Sequence, residues 1–86
     1  MATLMKNLMN SFQELQSAAL SEGDYEGAML YDTLVSYANN CHQMSPQETI
    51  DYVRHSLETT FAEEERLADA YAEAHFVIDY YEELLG

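Results

Sequence analysis

Three histidines, one cysteine and 16 carboxylates are the side chains in this sequence that could do chemistry. Di-iron sites in helical bundles take a Glu-x-x-His pair from paired helices. The residues three before His42, His55 and His75 are Asn39, Tyr52 and Ala72, so that pattern is absent. Asp51 and His55 stand four apart on one helical face, but two ligands do not make a metal site. Cys41 and His42 are adjacent with no second pair, short of the four ligands of a closed zinc site. Calcium-loop, phosphate-loop and GxSxG sequences are missing. General acid–base work needs a pocket that separates two carboxylate pKa values, and nothing in the pattern supplies one. The expectation is a non-enzymatic protein with no catalytic residue, no metal and no cofactor.

The carboxylates do have an order. Glu65, Asp69 and Glu73 recur at i, i+4 and i+8. On a helix they project from one side at steps of about 6 Å, near the spacing of phosphates along a strand. Glu63 and Glu64 crowd the same region, where Arg66 is the only cation, and Asp79, Glu82 and Glu83 continue it. Like charges four apart destabilise a helix by a few tenths of a kcal/mol (~0.2–0.5) per pair. Anions in the last turn also oppose the helix dipole. Local rules broken without structural gain point to function. Asp51, Glu58, Glu65, Asp69, Glu73, Asp79 and Glu83 are therefore the candidate partner-binding carboxylates. Tyr52 and Tyr80, which fall off the apolar stripe, join them because tyrosine is enriched at interfaces.

Helices must position these residues. Ser45-Pro46-Gln47-Glu48 combines a Ser N-cap, Pro at the first helical position and Glu three after the cap. Apolar residues then recur at steps of three and four from Ile50 to Leu85, through Val53, Leu57, Phe61, Leu67, Tyr71, Ala74, Ile78 and Tyr81, with Glu64 standing on the stripe between Phe61 and Leu67. Unbroken, this helix would be ~60 Å long. Thr59-Thr60-Phe61-Ala62-Glu63 could interrupt it, since Thr60 and Glu63 have capping-box spacing. Upstream, Leu4, Met5, Leu8, Met9, Phe12, Leu15 and Ala19 make the stripe of a first helix, with Thr3 as its cap. Ala28, Tyr31, Leu34, Val35 and Ala38 make that of a second. The reading is a single all-α domain over residues 1–86, a small three- or four-helix bundle. Its helices span about 3–20, 25–39, 46–59 and 61–85, the last two either continuous or broken. Leu15, Leu34, Leu57, Leu67, Tyr71 and Ile78 are the expected core.

Phe12, Leu15, Ala19, then Gly23-Asp24-Tyr25 and Ala28 resemble one tetratricopeptide hairpin, over roughly residues 12–35. The chain departs from that family at Gln16, Asp32 and Asn40, and no second copy follows. The resemblance implies a tight antiparallel helix pair and not a solenoid, which needs about three copies.

Charge bounds the partners. Against 16 acidic residues stand 3 Lys and Arg, a net charge of −13. Such a chain repels nucleic acid and anionic membranes and attracts basic surfaces. With 48% hydrophobic residues it is too apolar for a disordered acidic tail. No apolar run reaches the ~20 residues of a membrane span, and Lys6 and Glu14 interrupt any signal-peptide order. One cysteine fits a reducing cytoplasm, the expected compartment. In composition and acidic helix face the chain is similar to small phage anti-defence proteins, including antirestriction DNA mimics and anti-CRISPR proteins. That similarity implies an inhibitor presenting carboxylates to the basic groove of a nucleic-acid-binding protein, in the host cytoplasm if phage-encoded. An immunity-type protein against a basic nuclease is physically equivalent. The alternative is a helical adaptor whose apolar stripe makes a homodimer.

Overall fold

The computed structural model describes residues 2–40 and 44–85, with side chains from Met5 onward. The Cys41–His42 pair and the side chains of Thr3 and Leu4 lie outside the described residues. Four helices follow one another: α1 (Ala2–Ser21), α2 (Tyr25–Asn39), α3 (Pro46–Phe61) and α4 (Ala68–Leu85), the last preceded by a 3₁₀ turn, Glu65–Leu67. α1 already includes Thr3, so the helix begins ahead of the cap expected there.

The α1–α2 connection is tight for a reason in its sequence. Gly23 sits at φ +80°, a conformation that side chains resist. There the Asp24 amide donates to the Ala19 carbonyl (2.8 Å) and the Gly23 amide to that of Leu20 (3.1 Å). This is a Schellman closure. Asp24 then caps α2, its Oδ1 accepting from the Gly27 amide at 3.0 Å. A Cβ at Gly27 would fall against the Asp24 carboxylate, so the cap and the glycine belong together. The antiparallel pair implied by the tetratricopeptide resemblance is present, and α1 packs most extensively on α2.

α3 starts at the capping box read from the sequence. The Glu48 amide donates to Ser45 Oγ (3.2 Å) and the Ser45 amide to Glu48 Oε1 (3.4 Å). It runs through both threonines to Phe61, so the break falls at Ala62–Glu64, two to four residues later than Thr59-Thr60. Thr60 is helical and caps nothing; Glu64, with extended backbone, precedes the 3₁₀ turn without a side-chain cap bond. Thr59 and Thr60 are exposed, so their low propensity costs only tenths of a kcal/mol (~0.5 each). Ala62–Glu65 are exposed too, and no packing there holds the helix together. The break returns α4 antiparallel to α3 and excludes the ~60 Å arm, since the longest dimension of the molecule is 34 Å.

Leu8 and Phe12 of α1, Leu30 and Leu34 of α2, Ile50, Val53 and Leu57 of α3, and Ala74 and Ile78 of α4 are fully buried. Each large apolar side chain buried this way contributes about 1.5–3 kcal/mol. Of the expected core, Leu34, Leu57 and Ile78 are fully buried, while Leu15, Leu67 and Tyr71 pack half-buried at its margin. Leu67 is marginal because it lies in the 3₁₀ turn and not in a helix face. Thr49 is buried with its hydroxyl donating to the Ser45 carbonyl (3.0 Å). Among the described residues no buried side-chain polar atom lacks a partner.

Candidate partner-binding surface

The break after Phe61 distributes the candidate carboxylates over different sides of the bundle. Asp51, Tyr52 and Glu58 stand on α3, Glu65 in the 3₁₀ turn, and Asp69, Glu73, Asp79, Tyr80 and Glu83 on α4; all are exposed.

One group is engaged within the fold. Arg54 of α3, its side chain 21% exposed, lies 2.8 Å from Glu82, 3.0 Å from Asp79 and 3.7 Å from Asp51. Gln47 Nε2 donates to both Glu82 (2.9 Å) and Asp51 (3.0 Å). The bonds to Asp79 and Glu82 fasten α3 to α4, while Asp51 holds Arg54 and Gln47 within α3, so both Asp51 and Asp79 have a structural role. The Arg54 bond first, then Gln47, holds the Glu82 carboxyl below its ordinary range. The bond to Glu82 first, then that to Asp79, pushes the Arg54 guanidinium further up. Tyr52 is similarly occupied, its ring edge-on to Tyr37 at 5.7 Å. The remaining ion pair among the described residues, Arg66–Glu26 at 2.9 Å, is exposed on both sides and adds little stability.

A second group meets no cation. Of the 16 carboxylates, only Asp51, Asp79, Glu82 and Glu26 pair with a cation among the described residues. Asp69 and Glu73 of α4 face Glu22 and Asp24 of the α1–α2 turn across a cleft of about 340 Å³. Its apolar lining is Leu15, Ala18, Ala19 and Ala70, and Tyr31 also contributes to it. The Tyr31 pKa is pushed up to about 12, by burial first and then by Glu73, Asp24, Asp69 and Glu22. Four carboxylates, two from the turn and two from α4, therefore bear on one hydroxyl. The sequence pattern singled out Asp69 and Glu73, placed Asp24 in a turn and Tyr31 on an apolar stripe, and did not single out Glu22; only the tertiary fold brings them together.

The outward face of α4 carries apolar side chains as well. Phe76 (71% exposed), Tyr80 (53%) and Leu84 (58%) recur at i, i+4 and i+8 between the carboxylates. Tyr80 was singled out from the sequence; Phe76 and Leu84 were not. The available signal was their spacing, off the stripe of Ala70, Ala74, Ile78 and Tyr81. Tyr81 faces inward, its hydroxyl donating to the Asn7 carbonyl (3.2 Å) and bonded to Ser11 Oγ (2.9 Å), so it ties α4 to α1.

No helix among the described residues is long and apolar enough to cross a membrane, and no three His, Cys, Asp or Glu converge on a metal position. Compared with known protein families, curated proteins and solved structures, the chain matches none.

Proposed function

We propose that this protein binds and inhibits a nucleic-acid-handling protein by presenting carboxylates to its basic groove, in the manner of antirestriction, anti-CRISPR or immunity-type inhibitors. The supporting observation is the group of exposed carboxylates that meet no cation among the described residues, Glu65, Asp69 and Glu73 among them, on a small helical frame. A rigid acidic surface without internal countercharge loses little on meeting lysines and arginines, and it speeds their encounter. Phe76 and Tyr80 alongside supply the apolar and aromatic contact that interface cores use. The action is non-enzymatic and needs no cofactor or metal.

The test is capture from a lysate of the native host on immobilised protein, with elution by salt. The reading predicts a basic, nucleic-acid-binding protein that elutes as salt rises and whose nucleic-acid binding this chain competes away. A captured protein that binds its nucleic acid undisturbed would contradict it. The second reading, a dimerising adaptor, draws on the exposed Phe76–Tyr80–Leu84 stripe. It predicts self-association that persists at high salt, because apolar pairing is not screened.

A further inference from the structure

We propose that the cleft between α1, the α1–α2 turn and α4 is a binding site for one arginine side chain of the partner. This rests on the reading of the protein as a binder of basic surfaces and names the place where that binding centres. The lining divides by chemistry. Leu15, Ala18, Ala19 and Ala70 offer an apolar wall, suited to the aliphatic stem of a long cationic side chain. Glu22 and Asp24 of the turn and Asp69 and Glu73 of α4 supply negative charge from two elements, and none of them pairs with a cation among the described residues.

Tyr31 makes this more than an acidic cluster. The residue is only 5% exposed and lines the cleft, and its hydroxyl has no hydrogen-bond partner among the described residues. Since no buried polar atom there is left unpartnered, the small exposed part of the side chain is its hydroxyl, open to the solvent of the cleft. Here the burial and the four carboxylates keep the hydroxyl protonated, so it retains both a donor proton and lone pairs for an incoming N–H. A compact metal ion is a poor fit, because no three acidic or histidine side chains among the described residues converge on one point. A guanidinium suits separated acceptors, since its five N–H donors spread over a plane.

The experiment is an NMR titration of the full chain with Nα-acetyl-arginine amide, and with the uncharged Nα-acetyl-citrulline amide. The expected result is saturable shifts at Leu15, Ala19, Tyr31 and Ala70 with the arginine probe and none with citrulline. Asp69→Asn with Glu73→Gln should weaken the arginine probe at least tenfold. Tyr31→Phe should weaken it a few-fold, and if that variant does not fold, the exposed Asp69/Glu73 pair still decides. Glu14→Gln with Glu58→Gln, outside the cleft, should change nothing. Shifts that spread without saturation, or equal weakening by the Glu14/Glu58 pair, would overturn the site. Salt-eluted capture of a basic partner without probe binding removes the cleft and leaves the proposed function. Probe binding without such a partner does the reverse.

Discussion

Single residues decide several details of this fold. Gly23 at φ +80° has open space around it, so Gly23→Ala strains only the backbone and should cost about 1–2 kcal/mol in denaturant unfolding. Gly27→Ala would ordinarily gain about 1 kcal/mol in a helix. Here the new Cβ displaces the Asp24 cap, and the expected net gain is nil. The turn at Gly23-Asp24-Tyr25 was legible in the sequence; that Gly27 makes room for its own Asp24 cap was not. Nor was the Tyr31 environment, because it is assembled from Glu22 and Asp24 near one end of the chain and Asp69 and Glu73 near the other. Its pKa gives a pH test. A folded pKa raised from 10.0 to about 12 contributes stability that is complete below pH 10 and is lost as pH rises through 12. Tyr31→Phe should abolish that alkaline loss, and neutralising Asp69 and Glu73 should move the tyrosinate absorbance step downward. Glu82 runs the opposite way. Its lowered pKa contributes stability present above the ordinary 4.5 and lost as pH falls through the folded value. Glu82→Gln should flatten that acid limb.

At the level of helices, periodicity and caps carried most of the information. The Ser45 capping box and the turn at Gly23-Asp24 are local, and local chemistry is readable from a sequence. The position of the break was less so. Two weak helix formers pointed to Thr59-Thr60, but Leu57 on one side is fully buried and Phe61 packs on the core, which carries α3 past them. The consequence is measurable. Leu57→Ala should cost about 2–5 kcal/mol. Leu67→Ala, in the half-buried 3₁₀ turn, should cost about 1 kcal/mol by the same unfolding measurement. Arg54→Ala should also lower stability by about 1 kcal/mol, near the surface-pair value, because Asp79 and Glu82 remain solvated. The sequence left the last two helices continuous or broken, and with the break the acidic face divides into two surfaces. Arg54 marks the joint, bonding Asp79 and Glu82 of α4 as well as pairing with Asp51 of its own helix.

For the whole molecule, charge and compactness set the behaviour. A radius of gyration of 12.1 Å is what 86 residues give as one folded body, so −13 charges sit on a small surface. The protein itself should not shift DNA or RNA at micromolar concentration near physiological salt, since only Lys6, Arg54 and Arg66 are cationic, and Arg54 and Arg66 are already paired. The same field should draw in a basic partner. The most direct test is competition against the captured partner's nucleic-acid binding by the parent chain and by a triple variant, Glu65→Gln, Asp69→Asn, Glu73→Gln. These exposed changes keep size and polarity, and folding should persist or improve slightly as repulsion falls. Each desolvated pair with Lys or Arg is worth more than ~1.5 kcal/mol. Three lost pairs predict inhibition weakened roughly a thousandfold or more, with a flatter salt dependence. A folded triple variant that competes as well as the parent would contradict the account.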